Sequence, residues 1–349
     1  MLQVLLIIWC VSSPLVQNTV TANTWIADGW VENKVETINL YDYFSTKPVS
    51  NVILSGLVVE VLPDSNSLWR IIASDGSRII AIQDGYNTRK LDIETERNVM
   101  IQSPSRDFVL LSSWDGDAQT LTRYNMETGE KFELDVRESI RENLFGSPNY
   151  LMSEDGTIFF TDPAGIVGSC YMTETNISLN ENPILVFGNA LSSDGNLYAT
   201  SFSNAIQNLT LTGYSALEGI LWQVNTPGAH HDNPCISENG GIISFIKPTN
   251  GITILNGGTG ETLNSILPNM RITSQALSPN GEYVAVSIPC EDTRNSFMHA
   301  CINTGTSYSE NSFNYNDEPI IQGSLNIIAV ANDGAYILRT VTYAEEREM

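Results

Sequence analysis

The chain has 349 residues, 42% of them hydrophobic, enough to bury a sizeable core in one large domain. Its 17 Lys and Arg stand against 40 Asp and Glu, and a formal charge of -23 repels phosphate backbones and anionic lipid surfaces, so nucleic acid is not an expected partner. The acidity itself reads as a solubilising surface.

In chain order, the apolar run from Leu2 to Val11 comes first, followed by Ser12-Ser13-Pro14 and by Val20-Thr21-Ala22. It has the length of a signal peptide and is too short to span a bilayer. Residues 1–22 are therefore expected to be a signal peptide cut after Ala22, which leaves 23–343 as a secreted or surface-exposed domain and 344–349 as a polar tail. Cys10 ends a poor lipobox, because Trp9 stands where a small residue is needed. No later segment reaches the roughly 20 apolar residues of a membrane helix, so no membrane insertion is expected after signal removal.

Trp30 to Leu40 and Val52 to Leu62 read as strands, with Asp28-Gly29 as a hairpin turn. From there a tetrapeptide of the form Ser-x-Asp/Asn-Gly returns ahead of short β-branched or aromatic runs. Its copies are Ser74-Asp75-Gly76, Ser153-Glu154-Asp155-Gly156, Ser193-Asp194-Gly195, Ser237-Glu238-Asn239-Gly240, Ser278-Pro279-Asn280-Gly281 and Asn332-Asp333-Gly334, with a degraded one at Ser103-Pro104-Ser105-Arg106. Asp-Gly and Asn-Gly supply the positive φ of a tight turn, so each copy predicts a turn between antiparallel strands. The steps between copies are 30, 50, 39, 45, 41 and 53 residues, with a mean of 43. A period of about 40–45 residues that carries only strand signals predicts a β-propeller with one four-stranded blade per repeat.

Inside the repeats, Asp84-Gly85, Asp115-Gly116 and Asn250-Gly251 read as turns from second to third strand. A second element links third to fourth: Leu91 to Thr95, Tyr124 to Glu130 (YNMETGE), Leu255 to Glu261 (LNGGTGE) and Ile302-Asn303-Thr304-Gly305. A Ser-Pro-Asp-Gly-like turn followed by an Asp/Asn-x-x-Thr-Gly-Glu-like turn resembles the WD40-like and quinoprotein-like (PQQ-like repeat) β-propeller superfamily, over roughly residues 67–340. After Gly334 a single strand, Ala335 to Tyr343, remains. The expectation is an all-β, seven-bladed propeller of four-stranded antiparallel blades, closed by a composite blade from the N- and C-terminal strands.

In propellers of this type the loop that leads into each innermost strand lies near the central channel. That places Asn149, Asn189, His230, His231, Asp232, Asn233, Arg271 and Gln275 as candidate binding residues at a channel mouth. Asn149, Asn189 and Asn233 recur at nearly one offset, either as a ring of amides or as caps of strand ends. His230 and His231 are two of the three histidines, and with Asp232 they form the sharpest cluster, a set for a transition metal or a general base under the alternative reading. Adjacent histidines point apart, and the other reading is a solvated loop. The Asp75, Asp155, Asp194 and Asp333 series reads as turn carboxylates that accept backbone N–H groups. The chain departs from quinone-dependent dehydrogenases: Thr128-Gly129 and Thr259-Gly260 are not followed by the packing Trp of those enzymes, and vicinal cysteines are absent. Trp69, Trp114 and Trp222 read as core or inter-blade packing residues.

Four cysteines follow the signal, an even number that favours disulfides in an exported chain. Cys290 and Cys301 flank EDTRNSFMHA and are expected to pair across a hairpin, leaving Cys170 and Cys235 to each other or as buried thiols. Asn176 and Asn208 are sequon asparagines. No cofactor is expected. The expected function is a non-catalytic platform for a protein or glycan ligand; the alternative is a propeller lyase, hydrolase or oxidoreductase built around His230, His231 and Asp232.

Overall fold

The structure is a computed structural model that describes residues 18–25, 31–41, 48–50, 57–63, 69–74, 78–84, 87–94, 98–101, 107–115, 118–135, 149–161, 167–171, 174–178, 188–195, 197–203, 208–215, 218–227, 234–247, 251–290, 296–305, 316–319 and 323–343. The described residues contain strands and turns and no helix, hence no helix long and apolar enough to cross a membrane.

The first strands are β1 (Asn18–Trp25), β2 (Val31–Tyr41) and β3 (Pro48–Ser50). One antiparallel sheet follows from β4 (Leu57–Pro63), β5 (Trp69–Ser74), β6 (Arg78–Asp84) and β7 (Asn87–Glu94). The next holds β8 (Asn98–Ile101), β9 (Phe108–Asp115), β10 (Ala118–Asn125) and β11 (Lys131–Asp135). A third holds β12 (Asn149–Met152), β13 (Ile158–Thr161), β14 (Val167–Tyr171) and β15 (Glu174–Ser178). Then come β16 (Gly188–Leu191), β17 (Leu197–Ser203), β18 (Asn208–Ser215) and β19 (Gly219–Pro227). A fifth sheet holds β20 (Cys235–Ile236), β21 (Ile242–Lys247), β22 (Gly251–Asn256) and β23 (Thr262–Ile266). A sixth holds β24 (Ser274–Leu277), β25 (Tyr283–Pro289), β26 (Ser296–Asn303) and β27 (Asn316–Pro319). Finally β28 (Gly323–Val330) and β29 (Tyr336–Tyr343) join the first strands in the order β1-β2-β29-β28, with β3 also on β2.

These strands are short, β-branched and bounded by Gly, Asn and Asp, the pattern of a meander in which each strand pairs with the next. Their burial is graded across a sheet. In β21 and β25 every interior residue is buried, whereas β23 exposes Thr262, Leu263 and Ser265. A strand buried on both faces must be covered on both, here by neighbouring sheets. The largest described core cluster is of that kind: Ile252, Ile254 and Ile266 from one sheet meet Val284, Val286 and Ile302 from the next. Along the chain, first strands lie on first strands: β12 on β16, β16 on β20, β20 on β24, β24 on β28, and β28 on β4.

Two expectations need correction at the N-terminal end. Trp30 to Leu40 does correspond to β2 beside β29, with Ile38 opposite Arg339. Val52 to Leu62 does not join it; its second half is β4, the first strand of the following sheet. The fourth place, beside β2, is taken by β1. The repeat phase also slips once. Six copies of the Ser-x-Asp/Asn-Gly turn, the degraded one included, fall between the first and second strands of a sheet, but Ser74-Asp75-Gly76 falls between β5 and β6, its second and third. The corresponding first-to-second connection there runs over residues 64–68, which turns the short step of 30 into one of about 40, the ordinary propeller period. By the same slip Asp84-Gly85 joins third to fourth strand, and Leu91 to Glu94 lie within β7, the fourth.

Candidate functional site

The inner turns are built alike from the side chains outward. Ser153, Ser192, Ser237 and Ser278 are buried at the turn starts. Their hydroxyls donate to Asp155 (2.6 Å), Asp194 (2.6 Å), Asn239 (3.0 Å) and Asn280 (2.7 Å). The same carboxylate or amide oxygens accept backbone N–H groups two residues on, from Thr157, Gly241 and Glu282 at 2.9 to 3.0 Å. Asp333 does so from Ala335 at 3.1 Å, although Ala331 replaces the serine there. The turn is closed in each case by a glycine N–H on the carbonyl of the turn's first residue, at 2.9 to 3.0 Å, and the glycine φ lies between +70° and +84°. At Gly156 and Gly281 a side chain is barred twice, by φ and by space: an added Cβ would meet Phe108 at 3.0 Å and Ile242 at 2.7 Å, both on the preceding sheet.

Successive turns are joined through their second residues. Glu154 N–H donates to Ser193 O (2.8 Å), Ser193 N–H to Glu238 O (2.9 Å), and Glu238 N–H to Pro279 O (2.7 Å). Proline has no N–H, and the next link is made one residue later, from Asn280 N–H to the Asn332 side-chain oxygen (2.8 Å). These joined turns frame a cavity of about 430 Å³ lined by Glu154, Ser193, Asp194, Glu238, Asn239, Pro279, Asn280 and Asn332. Glu154, Asp194 and Glu238 are exposed at its rim, and the lining contains no Lys or Arg. Such a rim attracts cations and repels anions.

One buried charge stands behind this rim. Arg123 on β10 is 6% exposed, its guanidinium carbon 5.1 Å from the ring centres of both Phe108 and Phe132. Its Nη1 donates to Gly156 O, on the next sheet. Burial raises the Asp155 carboxyl, but the Ser153 hydroxyl, then the Thr157 N–H and side chain, then the Arg123 charge outweigh it and hold the group below the usual carboxylate range.

The residues singled out from sequence fall elsewhere. His230, His231, Asp232 and Asn233 lie outside the described residues, and among the described residues no three His, Cys, Asp or Glu are grouped to hold a metal ion. Asn149 and Asn189 are both on first strands, but their offsets from the turn differ by one: Asn149 is four residues before Ser153, Asn189 three before Ser192. Arg271 is exposed ahead of β24, and Gln275 in β24 donates from Nε2 to Ser244 O (3.3 Å), tying the first strand of its sheet to the second strand, β21, of the preceding one. Asn149, Asn189 and Gln275 are near the start of the first strands; the cavity is at their other end. It was missed because it is made by one column of turn residues, Glu154, Ser193, Glu238, Pro279 and Asn332, whose shared position was legible but whose identities differ. Asn176 is on the edge strand β15 and Asn208 opens β18.

The expected Cys290–Cys301 bridge is not formed. Cys301 stands opposite Ala285, five residues before Cys290, a displacement of about 17 Å along the strand against the roughly 6 Å a disulfide spans. Cys235 is likewise a thiol, its Sγ 3.9 Å from Gln275 O, so Cys170 and Cys235 are not joined. Trp222 does pack between sheets: its indole N–H donates to Gly257 O (2.6 Å) in the turn of the following sheet.

No family model and no curated protein sequence matches the chain. Solved structures do. The β-propeller domain of Cps50 (Swd1) from Myceliophteria thermophila aligns with a TM-score of 0.52 at 10% identity, over 87% of this chain and 100% of that one. Kluyveromyces lactis Hsv2 aligns at 0.52 and 11% over 80% and 88%, and Kuenenia stuttgartiensis hydrazine synthase at 0.51 and 12% over 85% and 98%. The chain has a β-propeller fold. At such identities the likeness is one of fold alone and does not reach the quinoprotein-like subtype.

Proposed function

We propose that the protein is a secreted or surface-exposed, non-catalytic propeller of seven blades that binds a protein partner at the mouth framed by its inner turns. The seven sheets, the succession of first strands and the pairing of β2 with β29 support a ring closed by a composite blade. The leading apolar run supports export. The observation that carries the binding site is the cavity rimmed by Glu154, Asp194 and Glu238 without a cation in its lining. Its chemistry suits a Lys- or Arg-bearing segment of a protein better than a glycan, because the lining offers carboxylates and amides and no aromatic face on which a sugar would stack.

The test is titration calorimetry with a hexalysine peptide on wild type, on E154Q/D194N/E238Q, and on E127Q/E130Q/E133Q. The last removes the same charge from exposed positions at the β10–β11 turn and on β11. Loss of about tenfold in affinity is expected only in the first variant, from three contacts of a few tenths to 1 kcal/mol each. Equal loss in both would assign binding to bulk charge and reject the site.

A further inference from the structure

Outside the mouth, Ile220 and Leu263 are large apolar side chains exposed on outer strands. Arg123 is different, because it is a buried charge with a directed contact. We infer that Arg123 is a positioning residue for the mouth, a clamp from the preceding sheet that fixes the Ser153–Gly156 turn and with it the Glu154 carboxylate. The inference rests on the mouth being the ligand site.

Three observations carry it. The guanidinium is sandwiched between Phe108 and Phe132, one on β9 and one on β11, so its position is set by its own sheet on both sides. A planar, weakly hydrated cation between two ring faces is a favourable use of Arg and a poor one for Lys. From that fixed point Nη1 donates to the carbonyl of Gly156, the last residue of the neighbouring turn. The approach is close enough to need glycine, since an added Cβ at Gly156 would lie 3.1 Å from the Arg123 Cδ and Nη1. Two other described turns meet different neighbours: the Gly281 carbonyl accepts from Thr304 Oγ1 (2.7 Å) of its own sheet, and a Cβ at Gly195 would lie 2.9 Å from the Phe159 ring. The turn that carries Glu154 is thus tied from the preceding sheet by Arg123 and to the following turn by the Glu154 N–H.

The experiment uses the full chain as wild type, Arg123→Met and Arg123→Lys. Hydrogen exchange is followed by mass spectrometry in peptides covering residues 150–160 and 275–285, beside hexalysine affinity. Arg123→Met is expected to speed exchange in 150–160 at least tenfold while 275–285 is unchanged, and to weaken the peptide several-fold; Arg123→Lys is expected to restore part of both. Unchanged exchange in 150–160, or faster exchange spread evenly over both peptides in both variants, would overturn the assignment, since Arg123 would then hold nothing locally or only the sheet. Loosening of 150–160 with no loss of affinity would also overturn it as a residue of the mouth. Absence of hexalysine binding in wild type is a separate result that rejects the ligand site and, with it, this role.

Discussion

The Nδ1 atom of His299 lies 2.8 Å from the hydroxyl of Tyr336, and the contact joins the β24–β27 sheet to the sheet in which the two chain ends meet. Both side chains are buried, their rings edge to face at 5.7 Å. Tyr336 is itself opposite Tyr41 of β2 and Val330 of β28, so the bond fastens the terminal sheet on its inner strand β29, at the end where that strand begins.

Tyr336→Phe leaves the His299 nitrogen buried without that hydroxyl and is expected to cost about 1–3 kcal/mol. Removing both polar groups in His299→Leu/Tyr336→Phe should cost less than the sum of the single changes. Urea unfolding midpoints of the four proteins measure the coupling, and strict additivity would show that the bond contributes nothing.

Gly213 and Gly219 separate crowding from backbone strain. An added Cβ at Gly213 would lie 2.2 Å from the Trp222 ring, with no special φ; at Gly219 φ is +78° and nothing lies within 4 Å. Gly219→Ala is expected to cost about 1–2 kcal/mol through its left-handed backbone. Gly213→Ala should cost about 3 kcal/mol or more, because a rigid indole bonded to Gly257 cannot yield, and should red-shift Trp222 emission. Unshifted emission with a small loss of stability would mean that the two sheets slide apart freely.

Asp155 gives a pH dependence of definite sign. Its folded pKa lies below the unfolded value of about 3.9, so the carboxylate contributes stability above that pH and loses it as pH falls through the folded pKa. Asp155→Asn keeps the turn geometry that Asn239 and Asn280 already display. The stability gap between wild type and this variant should therefore be constant from pH 7 to 5 and narrow as acid is added below about 4. A gap that widens in acid would contradict the hydrogen-bonded carboxylate.

The cysteines offer a chemical check. Intact mass under denaturing, non-reducing conditions with excess maleimide should show Cys235, Cys290 and Cys301 all labelled. In the folded protein Cys301 should react slowest, because burial pushes its thiol pKa up and little thiolate forms. A Cys290–Cys301 crosslinked fragment would contradict the register of β25 and β26.

The turns were legible because their requirement is local: a residue of positive φ after a short acceptor side chain, as at Asp155-Gly156 and Asn280-Gly281. Phase was less so, since Ser74-Asp75-Gly76 satisfies the same chemistry one strand later. Cys290 and Cys301 were misjudged because their spacing suggests a hairpin whereas the register of β25 on β26 decides it. The mouth could not be seen from residue types, because its links are main-chain atoms, and Arg123 could not because a lone arginine in a strand carries no mark of burial.

Main-chain links also leave the rim open to change. Glu154, Ser193 and Glu238 hold one another through N–H and carbonyl groups, so the exposed side chains of Glu154 and Glu238 can be exchanged without removing a link of the frame, and recognition at those two places can be rewritten by single substitutions. Pro279 interrupts the pattern, and beyond it the frame passes through the side chain of Asn332. Variation across relatives should accordingly be free at Glu154 and Glu238 and narrow at Asn332, the joint where specificity and scaffold share the same atoms.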